Sequence, residues 1–182
     1  MMGAAAIRSR WEASMSQDEP WLVPFDEVYR QLAGPVYRFC LSQVGEPAAA
    51  EDVAAQAFAS AFAAYQRVRP DREGLRPWIF RIARNAAIDH HRRRRRTAAL
   101  VARISGRDRA REVEEEVEMR EDVRRVVAAF SLLSRRDRTL VGLRLAGDLS
   151  LAEIAGVLGI GEAAARKATQ RALARLRAEA RP

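Results

Sequence analysis

Residues 149–177, Leu-Ser-Leu-Ala-Glu-Ile-Ala-Gly-Val-Leu-Gly-Ile-Gly-Glu-Ala-Ala-Ala-Arg-Lys-Ala-Thr-Gln-Arg-Ala-Leu-Ala-Arg-Leu-Arg, admit little other than two helices joined by a tight turn. Ser150 and Glu153 stand at the spacing of a capping box, in which each side chain satisfies a backbone N–H of the other. Leu149 and Ile154 flank the box as a hydrophobic staple and fix the angle at which the chain enters the helix. Leu151, Ile154, Ala155 and Leu158 then share one helical face, and Gly159 stands where the chain must turn sharply. Ile160 is placed to plug the corner. Beyond Gly161, Ala165, Ala168, Ala172 and Leu176 supply a small-residue inner face, so Arg166, Lys167, Gln170 and Arg171 lie elsewhere on the cylinder. Arg and Gln at such positions can make bidentate contacts to base edges in a major groove. A plain helical hairpin with a solvated arginine face is the competing reading.

The remainder reads as helix too, which makes the expected fold class all-α. Phe25, Val28, Tyr29 and Leu32 recur at three and four, and Val36, Tyr37, Cys40, Leu41 and Val44 continue after Gly34-Pro35 until Gly45-Glu46-Pro47 breaks the run. A second helix is expected from Ala48 to about Val68, with Val53, Ala57, Phe58, Ala61, Phe62 and Tyr65 on one face. Arg69 to Arg76 is expected as a loop, with Pro77 in the first turn of the next helix. The apolar residues Trp78, Ile79, Ile82, Ala83 and Ala86 carry that helix on to Asp89 and an arginine tract. Helical spacing returns at Val123 and lasts until Gly147. No alternating strand pattern and no long-period repeat occurs.

The expected organisation is therefore two small helical domains, residues 21–96 and 123–182, with 1–20 as a mobile arm and 97–122 as a flexible linker, partly helical at most. The linker carries Glu112, Glu114, Glu115, Glu116, Glu118, Glu121 and Asp122. Without His or Cys among them, these read as a solvated face rather than a metal site.

Charge narrows the partners. The 182 residues carry a formal charge of +8, and of 32 basic residues only Lys167 is lysine. Residues 25–75 hold five Arg against seven acids, whereas 76–96 hold eight Arg against Asp89 alone. One end of the first domain is thus built for a polyanion, nucleic acid before membrane. The single cysteine, Cys40, lies among apolar residues and reads as a buried thiol in a reducing cytoplasm. No run approaches the ~18–20 apolar residues of a membrane span, and the N-terminus lacks the apolar stretch and cleavage site of a signal peptide. Trp78, at helical spacing, is expected in the core.

Both halves together carry a resemblance. The order Phe-Asp-Glu-Val-Tyr (25–29), Val-Tyr-Arg-Phe (36–39), Ala-Glu-Asp-Val-Ala-Ala-Gln-Ala-Phe (50–58), Arg-Pro-Trp-Ile-Phe-Arg-Ile-Ala-Arg-Asn-Ala-Ala-Ile-Asp-His-His-Arg-Arg (76–93), then the helix-turn-helix, resembles bacterial sigma factors of the extracytoplasmic-function group. It covers roughly 25–96 and 123–178. The resemblance implies a first domain that docks on core RNA polymerase and opens the −10 promoter element, and a second that reads the −35 element. It implies that Glu51, Asp52, Gln56 and Phe58 face the polymerase. Arg81, Arg84, Asn85, Asp89, His90, Arg92 and Arg93 would then face −10 DNA, and Glu162, Arg166, Lys167, Gln170 and Arg171 would face −35 DNA. An anti-sigma protein is a further partner of the kind such factors have. Where the family's pattern has a hydroxyl cap and β-branched packing, this chain has Gly161, Ala164, Ala165, Ala168 and Thr169, which predicts a less firmly seated recognition helix.

Catalysis finds little support. His90 and His91 sit in an arginine tract, Cys40 lies in an apolar run, and no phosphate-binding glycine loop, HExxH or nucleophile elbow occurs. No cofactor, metal or small-molecule substrate is expected. The alternatives are a free-standing helix-turn-helix regulator binding operators as a dimer, which leaves residues 25–96 to be explained as a dimerisation or effector domain, and a nuclease or recombinase, for which Asp89 alone supplies too few acids.

Overall fold

The computed structural model describes residues 23–105 and 128–179, and among them every regular element is helical. Helix α1, Phe25–Val44, passes through Pro35 without a break. Gly34 just before it has no Cβ to meet the proline ring, which removes one of the clashes that stop most helices there. Gly45 ends the helix at φ 82° and returns its N–H to the Leu41 carbonyl. Helix α2, Pro47–Val68, starts where the Glu46 carboxylate accepts the N–H groups of Ala48 and Ala49.

Helix α3, Arg72–Ser105, differs from the expected helix at both ends. The loop before it shrinks to 69–71 because Asp71 Oδ1 accepts the Gly74 N–H at 2.6 Å and caps a turn ahead of Pro77. Pro77 therefore sits in the second turn. At the other end the arginine tract and residues 97–105 prolong the helix into what the sequence reading assigned to the linker. The acidic cluster from Glu112 to Asp122 and the arm at 1–20 lie outside the described residues.

The second module contains helical residues 128–131, α4 (Arg135–Val141), a π-helical turn (Gly142–Ala146), α5 (Leu151–Leu158) and α6 (Glu162–Glu179). Ser150 and Glu153 make both bonds of the capping box, and Gly159 turns the chain at φ 66°, where a side chain would be strained. Leu149 and Ile154 are fully buried, as a staple requires.

Each module has its own apolar centre. Phe39, Phe58, Tyr65, Trp78 and Ile79 are buried among α1, α2 and α3, while Leu140, Val141, Leu149, Ile154, Ala165 and Ala172 are buried in the second module. The structure then does something the spacing of the elements did not suggest, for the two centres merge into one contiguous core. The π-helical turn lies on α1 so closely that a Cβ at Gly142 would stand 2.5 Å from Ser42 Oγ and 2.8 Å from Gln43 Nε2. At Gly147 a Cβ would meet the Phe80 ring at 2.7 Å.

Candidate nucleic-acid and polymerase interface

Helix α3 carries the first polar surface. Arg81, Asn85, Asp89, Arg92 and Arg93 recur at three and four residues and all are exposed, forming one outward row. Asp89 pairs with Arg92 at 3.5 Å, an exposed contact that orients the two side chains more than it stabilises them. Below the row, α3 and α2 enclose a shallow groove of about 360 Å³ with an apolar floor, Ile82 and Ala86, and a polar rim, Gln56, Ser60, Asn85, Asp89 and Arg93.

The remaining two α3 candidates are placed differently. Arg84 is half-buried, and its Nε is shut off without an acceptor. Four residues beyond Phe80 and seven before His91, it lies on the helix face turned toward the second module. His90 is half-buried against the His91 ring. Burial, then Arg94 and Arg93, hold its pKa below the usual histidine value. His90 is therefore neutral near pH 7 and adds no charge to the row.

On α2, Glu51 and Asp52 are exposed in the first turns, and Gln56 follows Asp52 by one turn on the same side. Gln56 Nε2 approaches Ser60 Oγ at 3.4 Å, at the rim of the groove it shares with α3. Phe58 corrects the sequence reading. Only 6% exposed, it packs edge-on against Tyr29 and Phe25 with centroid distances of 4.8 and 6.5 Å, so it shapes the core and offers nothing to a docking partner. Trp78 and Cys40 are buried as expected, and burial pushes the Cys40 thiol up to about 12.

Helix α6 carries the second surface. Glu162, Arg166, Lys167, Gln170 and Arg171 are all exposed, with Arg166 held to Glu162 at 3.0 Å. Ala165, Ala168, Thr169 and Ala172 form the buried side. The sequence predicts a loosely seated helix here, and the structure shows what holds it. Arg175 donates to Asp137 of α4 at 2.6 Å, while Ser134 donates to the same carboxylate oxygen at 2.8 Å. Burial alone would raise the Asp137 pKa; the hydrogen bonds from Ser134 and Arg175 outweigh it and leave the carboxyl below its ordinary range. Nothing in the local sequence pairs residues 137 and 175, and only proximity in the fold reveals them.

The chain matches two family models in the expected order, Sigma-70 region 2 over residues 28–97 and Sigma-70 region 4 over residues 124–176. It belongs to the sigma-70 family, in its extracytoplasmic-function group. Among curated relatives it is 28% identical over 156 residues to the ECF RNA polymerase sigma factor SigM of Bacillus subtilis, an alignment covering 84% of this chain and 93% of SigM. To the ECF RNA polymerase sigma factor RpoE of Cereibacter sphaeroides it is 27% identical over 172 residues, covering 93% and 94% of the two chains. The fold resembles that of the sigma factor RpoE of Bartonella quintana, solved in complex with the anti-sigma factor NepR, with a TM-score of 0.65 at 21% identity over 85% of this chain and 95% of that one. The α3 row falls within the region 2 match and α6 within the region 4 match. As a sigma factor the chain is a promoter-recognition subunit of RNA polymerase, and the region 2 match accounts for the residues that a free-standing regulator left unexplained. Among the described residues no helix is long and apolar enough to cross a membrane.

Proposed function

We propose that the first module docks on core RNA polymerase and opens the −10 element, and that α6 grips the −35 element. Glu51 and Asp52 are the polymerase-facing carboxylates, with Gln56 beside them. Arg81, Asn85, Asp89, Arg92 and Arg93 face −10 DNA, with Arg84 and His90 at the border of that surface. Glu162, Arg166, Lys167, Gln170 and Arg171 face −35 DNA, where the four without negative charge make the contacts and Glu162 orients Arg166. One observation carries this reading: two separate helices of a single chain each keep an exposed row of cations and amides clear of the core.

Residues 21–96 and 123–182 are the working units, and the chain between them is the tether. Of the 26 residues from 97 to 122, the nine in α3 span ~14 Å at ~1.5 Å each, and the other 17, extended at ~3.3–3.6 Å each, bring the reach to ~70 Å. Two turns of DNA, at ~34 Å per turn, fall within that reach. The factor performs no covalent chemistry and works in the cytoplasm, where its polymerase and promoters are. An anti-sigma protein completes the partner set, on the precedent of the Bartonella RpoE–NepR pair.

Reconstituted transcription with core polymerase on promoter fragments tests the whole reading, since activity demands both modules at once. Asp52→Ala is expected to weaken core binding by about tenfold, ~1.4 kcal/mol, at unchanged helicity. Core polymerase that binds the variant as tightly as the parent removes Asp52 from the docking surface.

A further inference from the structure

Among the described residues Asp137 of α4 is the one acid that is buried, at 6% exposed. Its Oδ2 accepts from Ser134 Oγ at 2.8 Å and from Arg175 Nη1 at 2.6 Å, while Ser134 Oγ takes the Asp137 N–H at 3.2 Å. A buried carboxylate is costly unless it is paired and hydrogen-bonded. Ser134 belongs to the same helix end, so Arg175 is the partner that another helix supplies. Its side chain stays 62% exposed, reaching down from the surface of α6 to the buried acid.

The rest of the seat explains what such a pair is for. The buried side of α6 is Ala165, Ala168, Thr169 and Ala172, flanked by the half-buried Leu173 and Leu176. Packed helices find their register by interlocking ridges and grooves of side chains, and methyl groups make ridges too low to choose one register over the next. Thr169 adds no direction either, since its hydroxyl is sealed from solvent without a hydrogen-bond partner among the described residues. A slip of one residue shifts a helix ~1.5 Å along its axis and turns it ~100°, enough to carry Gln170 and Arg171 off any base edge. Buried ion pairs add little net stability over apolar replacements of similar size, and their best-attested use is to fix register.

We infer that the Asp137–Arg175 pair sets the register of α6 on α4 and thereby how sharply α6 discriminates −35 bases, with both residues acting as positioning residues that touch no DNA. The inference rests on the −35 reading proposed above. Arg175 lies one turn beyond Arg171 on the same helix, so its anchorage passes directly to the reading residues. The Glu162–Arg166 pair cannot serve this end, because both partners belong to α6. Phosphate contacts position a protein on the duplex but carry no sequence information, whereas base-edge contacts do. Loss of register therefore removes discrimination while leaving the charge that α6 presents to the backbone.

The test compares the full chain with Arg175→Met and with the double variant Asp137→Leu/Arg175→Met, each first checked by circular dichroism for parental helicity. Holoenzyme reconstituted with core polymerase is measured on a promoter fragment that it transcribes and on the same fragment with its −35 bases replaced. For the parent each wrong base is expected to weaken binding about 5- to 150-fold, a ratio that should fall below about threefold in both variants. The double variant is expected to unfold at or above the parental temperature, so discrimination lost there is not stability lost. Arg175→Met changes a mostly exposed side chain and remains informative if the double variant fails to fold. Parental discrimination in a folded variant overturns the register role. A slope of log K against log salt that drops by about 0.9 makes Arg175 a phosphate contact and overturns it as well. A holoenzyme that transcribes no fragment, or that ignores its −35 bases, instead takes the −35 reading away from α6, and the register role falls with it.

Discussion

The two modules reach stability by different routes. Around α1–α3 the centre is aromatic: Phe25 lies 5.2 Å from both Phe62 and Tyr65, and Phe39 meets the Phe80 ring edge-on at 5.7 Å. Around α5 and α6 it is made of alanines and branched aliphatics, Leu149, Ile154 and Val157 among them, completed by a capping box and one partly buried ion pair. Large rings bury more apolar surface per residue and hold their neighbours by shape. Small residues let helices approach but leave more of the work to helix ends. The difference teaches that the first module should resist surface substitution, while the second should be sensitive at its termini.

Phe39→Ala should break the comparison most severely. The ring is fully buried between its own module and the π-helical turn, so its loss is expected to cost about 3–5 kcal/mol, read as a lowered urea midpoint. A cost under about 1 kcal/mol would mean that the aromatic centre repacks. Next, Arg166→Ala with Arg171→Ala should reduce promoter affinity and flatten its salt dependence, each lost phosphate contact removing about 0.9 from the slope of log K against log salt. Slopes unchanged in both variants would take DNA binding away from α6. Ser150→Ala should then cost about 1 kcal/mol, measured by thermal unfolding and felt in the second module.

The smallest effect concerns pH. His91 bonds the Gln43 carbonyl at 3.1 Å. Burial holds its pKa below the ordinary 6.5, helped by Arg135, His90 and Arg138 and opposed by that hydrogen bond. Folded-state stability from the neutral ring is therefore full above about 6.5 and is lost as the pH falls through that value and on through the lower folded one. Denaturation midpoints at pH 7.5 and 5.5 should differ in the parent and differ by less in His91→Gln, where only His90 keeps a lowered pKa of this kind.

Local chemistry was legible in the sequence and distant chemistry was not. Ser150, Glu153, Gly159 and Gly45 act through bonds to residues within five positions, so their roles could be read from spacing. Asp71 could have been read the same way, as a cap starting α3 ahead of Pro77. The long extension of α3 was missed because an arginine tract has helix propensity without an apolar stripe to announce it. Phe58 was taken for a contact because a motif position says nothing of which way a side chain faces. Gln43 and Arg138 meet across 95 residues, and Arg175 and Asp137 across 38; no periodicity encodes such pairs.

Cys40 has one more consequence. It is the chain's sole thiol, sealed against solvent and reluctant to ionise. A fluorophore aimed at a single introduced cysteine would therefore couple there alone while the helical bundle is intact, so Cys40 itself need not be replaced before a chosen surface position is labelled.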